Sequence, residues 1–323
     1  MLIGLIACDN GLGHIRRLYV LGLRFAEMGH EVELLCATRK FLGIRDIYGG
    51  HLRLANVAFS APFRKDLLMK GGSPTEKFLT FLPDLDKYEK VISDNLLDVL
   101  YRRPDAIISG HFLWHYVPKI KQFQYKEESE ALLSLMQPRV VATGMFAMEE
   151  IKRLPNYRPT GLYLTDIPRA SPAADSVLIT GGTTRIIDDQ MLKIAERLSR
   201  EKNSKGRTIF VDPLIYKHIE HEDIKPASYT RDMYAKISIA ILRPGVGTVT
   251  ELISVCAGMY LVAEPGDGEM ESVVTSLEKL NIAERYTGQP LMGLWDKEHK
   301  FELGYDSINQ GIGGLFDPKL FLQ

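Results

Sequence analysis

Short runs of aliphatic and β-branched residues alternate with longer amphipathic segments, and this alternation limits the possible folds more than any other feature of the chain. The series opens with a predicted strand over 2–8, a loop that contains two glycines, and a predicted helix over 14–28. A second series starts at a predicted strand over 176–180. Strands that alternate with helices are typical of βαβ units in a parallel sheet. The sequence therefore predicts an α/β protein with two doubly wound domains that face each other across a cleft.

The segment 166–175 is the best candidate for a linker between the two series. It contains two prolines and several small residues, which favour an irregular connection. The chain has 323 residues, and a domain commonly contains about 100–200 residues. We therefore predict an N-terminal domain over 1–167 and a C-terminal domain over 168–323.

Two further segments belong to the N-terminal half. The segment 75–102 is predicted to be mostly helical, because its apolar residues recur near helical spacing. The segment 109–116, which follows a predicted strand, is rich in aromatic residues. Such rings can stack on a sugar or receive a lipid-linked acceptor, but they more often pack in a core. The roles of His111, Trp114 and His115 stay open.

Charge and cysteine content limit the partners and the compartment. The chain has 40 Lys and Arg against 41 Asp and Glu, so its net charge of −1 gives no overall basic field for nucleic acid. Three cysteines lie far apart in apolar runs, which favours reduced and buried thiols. The first strand has no positively charged flank, and no segment approaches the ~20 apolar residues that span a bilayer. We expect a cytoplasmic protein that binds no nucleic acid, while a peripheral membrane contact and the oligomeric state stay open.

The loop after the first predicted strand carries the first candidate for chemistry. Gly11 and Gly13 permit a tight turn and a close backbone approach, and His14 follows at the start of the predicted helix. An imidazole ordinarily titrates near pH ~6.5 and can take a proton at neutral pH. His14 could instead pack or cap the turn. A dinucleotide-binding loop is the other alternative, but Arg16 stands where its third glycine allows close helix–strand packing.

Two loops of the C-terminal half resemble anion-binding turns. Gly181 and Gly182 lie between a predicted strand and a helix, where backbone N–H groups can approach a phosphate. Thr183 could add a hydroxyl, or it could simply cap the helix. A second glycine-rich turn precedes Thr248 and Glu251. The Glu251 carboxylate could accept hydrogen bonds from the vicinal hydroxyls of a ribose, or it could form a capping box with Thr248.

The order and spacing of these loops resemble the GT-B glycosyltransferases, in particular the UDP-GlcNAc transferase of lipid II synthesis and the related UDP-sugar hydrolase of pseudaminic acid synthesis. Their N-terminal Gly-x-Gly-His-x-x-Arg motif is matched by residues 11–17. Residues 177–183 are similar to the first strand and glycine loop of their second domain, and 233–282 to their donor-binding region. The resemblance covers the ends of the N-terminal domain and most of the C-terminal domain. It implies two Rossmann-like domains of the GT-B type.

This resemblance also implies roles for individual residues. His14 would be the catalytic base, acting on an acceptor hydroxyl in a transferase or on water in a hydrolase. The diphosphate would lie against both glycine loops, the ribose on Glu251, and the nucleobase near the Met233 backbone. Neither a metal nor a cofactor is implied, because helix N-termini and side chains neutralise the leaving diphosphate in this fold. The implied substrate-binding residues are Gly11, Gly13, Arg17, Gly181, Gly182, Thr183, Met233, Gly245, Gly247, Thr248, Glu251, Glu269 and Glu271.

The chain departs from the family in two regions. Arg185 replaces a glycine of the first C-terminal loop, and Glu269 and Glu271 occupy the region where the family reads sugar hydroxyls with a pair of glutamines. The donor sugar is therefore not defined by the sequence.

The sequence favours an inverting, metal-independent glycosyltransferase of the hexosyl type. Its donor would be a nucleotide sugar with UDP as the nucleotide, and its acceptor a sugar, a glycolipid or another hydroxyl compound. The N-terminal domain would hold the acceptor and the C-terminal domain the donor. The main alternative is a nucleotide-sugar hydrolase with water as the acceptor. A binding module without activity and a nicotinamide-dependent enzyme are the remaining alternatives.

Overall fold

The computed structural model describes residues 1–9, 11–57, 82–117, 123–166, 175–182, 187–201, 207–219, 221–253, 255, 258–264, 267–288 and 314–323. The chain divides into two compact units. The first comprises Met1–Thr165 together with Ile312–Gln323, and the second comprises Asp166–Gly311.

The first unit is built on a seven-stranded parallel sheet with the order β3-β2-β1-β4-β5-β6-β7. Its central strands are buried along almost their whole length, as expected for a parallel sheet that is covered on both faces. The strands are β1 (Leu2–Ile6), β2 (Glu31–Cys36), β3 (Arg53–Asn56), β4 (Lys90–Asp94), β5 (Ile107–Ser109), β6 (Val140–Thr143) and β7 (Tyr157–Thr160). The α-helices described in this unit are α1 (Gly13–Glu27), α2 (Thr38–Tyr48), α3 (Phe123–Met136) and α4 (Glu149–Lys152), with 3-10 helices at Leu97–Tyr101, Trp114–Tyr116 and Pro318–Phe321.

Strand β4 corrects the prediction of a mostly helical segment over 75–102. Residues 82–102 contain the strand and a short 3-10 helix, and residues 75–81 lie outside the described part of the chain. A short apolar run such as Val91-Ile92 cannot be assigned to helix or strand from periodicity alone. Burial between β1 and β5 decides in favour of the strand.

The last residues of the chain also differ from the sequence prediction, which placed them in the C-terminal domain. Residues 314–323 belong to the first unit. The Phe316 ring stacks on Tyr163 at 5.0 Å between centroids, and Phe321 packs edge-on against Phe25 at 6.4 Å. These buried rings complete the core around α1, which explains why the segment returns to the first unit.

The second unit has a six-stranded parallel sheet with the order β10-β9-β8-β11-β12-β13. Its strands are β8 (Ser176–Thr180), β9 (Ile209–Val211), β10 (Ile224–Pro226), β11 (Ile237–Leu242), β12 (Gly258–Leu261) and β13 (Glu284–Arg285). Its described helices are α5 (Asp188–Ser199), α6 (Pro213–Tyr216), α7 (Arg231–Tyr234), α8 (Val246–Leu252) and α9 (Gly268–Lys279).

Both sheets confirm the predicted doubly wound α/β fold. The strand order reverses between β1 and β4 in the first unit and between β8 and β11 in the second. Ligands of open parallel sheets bind beyond the carboxyl ends of the strands at such reversals. Across the described ranges, no helix has both the length and the apolar character needed to cross a membrane.

Candidate active site

His14 lies where the first sheet reverses its strand order. Gly11, with φ of 85°, turns the chain sharply after β1, and α1 begins at Gly13. A Cβ on Gly13 would have no described heavy atom within 4 Å, so the space beside the start of the helix is open. The His14 side chain is nearly buried. The structure therefore places the predicted base at the position where the fold favours a ligand.

Asp94 is the partner of His14, and the sequence did not predict it. It is the last residue of β4, which pairs directly with β1. Its fully buried carboxylate places Oδ1 at 2.8 Å from His14 Nδ1. An anionic acceptor at this distance requires the proton of a neutral His14 to be on Nδ1. The Nε2 lone pair is then available to accept a proton, as in other histidine–carboxylate pairs.

The charge state of Asp94 follows from its surroundings. Burial alone would raise the pKa of this carboxyl, but the charge of Arg17, the charge that His14 carries when it is protonated and the hydrogen bonds from both side chains outweigh burial. The pKa of Asp94 is therefore held below its ordinary value, and the group is an anion at neutral pH.

Arg17 lies one turn along α1 from His14 and holds the same carboxylate. Its Nε donates to Asp94 Oδ2 and its Nη2 to Asp94 Oδ1, both at 2.7 Å. Its Nη1 lies 3.0 Å from His111 Nδ1, and its guanidinium carbon lies 5.9 Å from the centre of the Tyr163 ring. Arg17 was predicted to bind substrate, and the structure places its guanidinium against these buried protein groups.

An aromatic cluster covers the other side of His14. The fully buried Phe112 ring lies 6.1 Å from the His14 ring and packs edge-on against Trp114 at 4.9 Å. The half-buried Trp114 ring lies 6.0 Å from His14. His111 and Trp114 thus belong to the surroundings of His14. His115 instead packs on Tyr116 at 4.0 Å, and burial lowers the pKa of His115 to about 4.

The loop that carries these rings is fixed by Asn95. Asn95 has a left-handed backbone with φ of 59°, and its N–H donates to the Ser109 carbonyl at 2.9 Å. Gly110 has φ of 154°, and a Cβ there would lie 1.5 Å from Asn95 Oδ1. The Asn95 side-chain amide, with its nitrogen facing the Ser109 and Phe112 carbonyls, donates to both of them at 3.1 Å. The loops after β4 and β5 are therefore held together beside His14.

The glycine loop after β8 surrounds a buried carboxyl in the second unit. Gly181 N–H donates to Asp212 Oδ2 at 2.8 Å, and Thr180 Oγ1 donates to Asp212 Oδ1 at 2.8 Å. Gly182, with φ of 74°, donates its N–H to Thr180 Oγ1 at 3.2 Å. Burial raises the pKa of Asp212 to about 6. Thr183, which the sequence placed on the diphosphate, lies outside the described residues.

The two predicted diphosphate loops of the second unit lie on neighbouring strands. Thr180 and Leu242 are register partners at the ends of β8 and β11, and Arg243 N–H donates to the Thr180 carbonyl at 2.9 Å. Gly245 and Gly247 follow directly, at the start of α8.

Glu251 is buried one turn further along α8. The alternative in which Thr248 and Glu251 form a capping box is wrong, because the helix begins at Val246 with Gly245 as its N-cap. Thr248 is therefore already inside the helix.

The remaining predicted binding residues lie on α7 and α9. Met233 is buried on α7, and its N–H donates to the Thr230 hydroxyl at 3.4 Å. Glu269 and Glu271 lie in the first turn of α9. Glu271 accepts a hydrogen bond from Arg285 at 2.6 Å, and this hydrogen bond lowers the pKa of Glu271.

The chain is similar in fold to several solved structures that are named as glycosyltransferases. No protein-family model matches the chain, and no curated protein matches it in sequence. The spinosyn forosaminyltransferase SpnP aligns with a TM-score of 0.64 at 14% identity, over 100% of this chain and 97% of that one. The calicheamicin glycosyltransferase CalG4 aligns at 0.60 and 11% identity, over 98% and 95%. The spinosyn rhamnosyltransferase SpnG complexed with thymidine diphosphate aligns at 0.59 and 12% identity, over 97% and 93%.

The chain has the GT-B fold. Asp94 and Asp212 were not identified from the sequence. Each comes at the end of a short aliphatic run: Asp94 is the last residue of β4, and Asp212 directly follows β9. A carboxylate at the carboxyl end of a strand was the available signal, since ligands of parallel sheets bind there.

Proposed function

We propose that the chain is an inverting, metal-independent glycosyltransferase that moves a sugar from a nucleoside diphosphate donor to a hydroxyl acceptor. The observation that carries this proposal is the 2.8 Å contact between His14 Nδ1 and the anionic Asp94 at the strand-order reversal of a GT-B fold. The glycosyltransferase names of the similar structures support it.

The reaction follows from the orientation of the imidazole. His14 Nε2 removes the proton of the acceptor hydroxyl as its oxygen bonds to the anomeric carbon of the donor. The bond from that carbon to the diphosphate breaks on the opposite face, and its electron pair leaves with the diphosphate. One displacement inverts the anomeric configuration. Asp94 stabilises the imidazolium that forms and keeps the ring aligned, which is the role of the carboxylate in a histidine–carboxylate pair.

Donor binding is assigned to the second unit. The first turn of α8, which contains Gly247 and Thr248, offers backbone N–H groups suited to a diphosphate, and the buried Glu251 is suited to the hydroxyls of a ribose. The solved SpnG complex contains thymidine diphosphate. UDP-sugars and thymidine diphosphate sugars are therefore the first donors to test. The position of Glu269 and Glu271 on α9 makes them candidates for reading the sugar.

The test compares nucleotide binding with turnover. UDP or thymidine diphosphate should raise the thermal unfolding midpoint, because a ligand that binds only the folded state stabilises it. His14→Gln should remove turnover with the same donor and leave this midpoint shift unchanged. His30→Gln, at the other end of α1, is the matched control and should retain turnover. Full turnover in His14→Gln would show that the proposed base is wrong.

One further measurement separates transfer from hydrolysis. The protein is incubated with each nucleotide sugar in the absence of an acceptor, and free sugar is measured against free nucleoside diphosphate. A transferase releases little of either until a hydroxyl acceptor is added. Stoichiometric release of sugar and diphosphate with water alone would assign the same His14–Asp94 pair to a hydrolase.

A further inference from the structure

Arg17 is the one cation that directly contacts the His14–Asp94 pair among the described side chains. We propose that Arg17 is a positioning residue that sets, through Asp94, the pH at which His14 takes up a proton. This inference rests on the proposed role of His14 as the base. It assigns Arg17 to the catalytic pair, not to the substrate.

The geometry directs the guanidinium away from a ligand. Three of its nitrogens are accounted for by Asp94 Oδ2, Asp94 Oδ1 and His111 Nδ1, at 2.7, 2.7 and 3.0 Å. One face lies over the Tyr163 ring, and the side chain is nearly buried. A planar fork that holds both oxygens of one carboxylate fixes the rotation of that carboxylate. Asp94 is thereby held in the orientation that its contact with His14 requires.

The hydrogen-bond directions define the protonation of the whole cluster. Arg17 can only donate, so His111 Nδ1 must accept, and a neutral His111 carries its proton on Nε2. Arg17 Nη2 also lies 3.4 Å from His14 Nδ1. The shorter contact to Asp94, at 2.8 Å, requires the proton on His14 Nδ1, so the 3.4 Å approach places two donors side by side. It is an electrostatic contact that disfavours a second proton on His14.

The charges of the cluster therefore balance when His14 is neutral. Arg17 contributes one positive charge and Asp94 one negative charge, while His14 and His111 contribute none. A buried carboxylate without this cation would strongly favour the imidazolium form of its neighbour. An imidazolium cannot accept a proton, and such a base would be inactive at neutral pH. Arg17 thus allows Asp94 to orient His14 without keeping it protonated.

The test follows protonation of His14 directly by NMR. The chain has 8 histidines, and ring-labelled protein reports each of them, with His14→Gln identifying the signal of His14. Arg17→Met should raise the midpoint of the His14 titration by about one pH unit or more. Arg17→Lys retains the charge and should remain closer to the wild-type midpoint than to that of Arg17→Met.

Arg16→Met is the matched control, because Arg16 is a nearly buried neighbour on α1 that donates to the Tyr48 hydroxyl and lies 5.4 Å from the Tyr48 ring centre. The midpoint of the His14 titration in Arg16→Met should equal that of the wild type. If Arg17→Met does not fold, Arg17→Gln supplies the neutral side chain with donors retained, and the same upward shift is expected. An unchanged His14 midpoint in a folded neutral variant overturns the proposal, and so does an equal shift in Arg17→Lys.

The titration needs no substrate and no turnover. A shifted His14 midpoint in Arg17→Met together with full turnover in His14→Gln would support the electrostatic role of Arg17 and reject the proposed base. An unshifted His14 midpoint in Arg17→Met together with loss of turnover in His14→Gln would reject the electrostatic role of Arg17 and support the proposed base. The two proposals can therefore fail separately.

Discussion

Asp94 Oδ1 lies 2.8 Å from His14 Nδ1 although the two residues are 80 positions apart in the chain. Direct pairing of β1 with β4 brings them together, because Asp94 ends β4 and the loop after β1 leads to the start of α1, where His14 lies. Both residues of this contact are buried. Disturbing the end of β4 should therefore affect the base through this contact.

Asp94→Asn should lower kcat/KM by at least about 100-fold, because an amide cannot stabilise the imidazolium and does not specify the tautomer of His14. It should also destabilise the fold, because Arg17 would remain buried without its counter-charge. Steady-state kinetics and thermal unfolding measure the two effects. Asp105→Asn breaks the ion pair between the exposed Asp105 and Arg103 and serves as the control. Wild-type kcat/KM in Asp94→Asn would exclude Asp94 from the reaction.

Asp212 should make the stability of the protein fall as the pH rises. Burial raises its pKa in the folded state to about 6, from an ordinary value of 3.8. Its contribution to stability is complete below pH 3.8 and is lost as the pH rises through 6, since the unfolded chain releases the proton first. The loss corresponds to about 3 kcal/mol of unfolding free energy.

Asp212→Asn should remove this loss, because an amide does not ionise, keeps an oxygen that accepts from the Gly181 N–H, and can donate from its nitrogen to the Thr180 hydroxyl in place of accepting from it. Denaturant unfolding at pH 4 and pH 8 tests this, with the variant gaining stability relative to the wild type at pH 8. An equal difference between the two proteins at both pH values would contradict the assignment.

Gly110→Ala should destabilise the protein by at least about 2 kcal/mol, because the new Cβ would lie 1.5 Å from Asn95 Oδ1 and the backbone has a positive φ. The loop that carries His111 and Phe112 would move, and turnover should fall with it. Gly43→Ala is the matched control. Gly43 lies inside α2, and a Cβ there would have no described heavy atom within 4 Å. This control should be neutral or stabilising by up to about 1 kcal/mol. Equal stability of the two variants would show that Asn95 does not restrict the loop.

Trp114→Leu should raise the KM of the acceptor and leave the KM of the donor unchanged. The half-buried Trp114 ring is 6.0 Å from His14, so an acceptor that approaches the base passes beside it. Tyr216→Leu, at an exposed position of the second unit, controls for loss of an aromatic ring. An effect of Trp114→Leu on the donor alone would place Trp114 outside the acceptor site.

Glu251→Gln should weaken UDP binding by about tenfold, in line with the loss of hydrogen bonds to a charged acceptor. A carboxylate that accepts from both vicinal hydroxyls should also prefer UDP to 2′-deoxyuridine diphosphate. Titration calorimetry of both nucleotides with both proteins measures this preference, which should shrink in the variant. An unchanged affinity for UDP would show that Glu251 does not bind the ribose.

Much of the architecture could be predicted from the sequence, because parallel strands and their helices have strong local patterns. His14 could be located for the same reason, since a glycine turn marks the start of its helix. Asp94 could not, because its segment resembled a helix and its partner is distant in sequence. The contact of Arg17 with the same carboxylate also depends on that long-range pairing, although its spacing of three residues from His14 places both on one helix face.

The stacking of Phe316 on Tyr163 has a consequence for the order in which the chain folds. The strands of the first sheet leave the ribosome first, but the rings that complete the core around α1 emerge only after the second unit has been synthesised. All residues of the second sheet are by then available to fold. Folding during synthesis would therefore finish in the N-terminal half, and a nascent chain stalled before residue 316 would expose the Tyr163 ring.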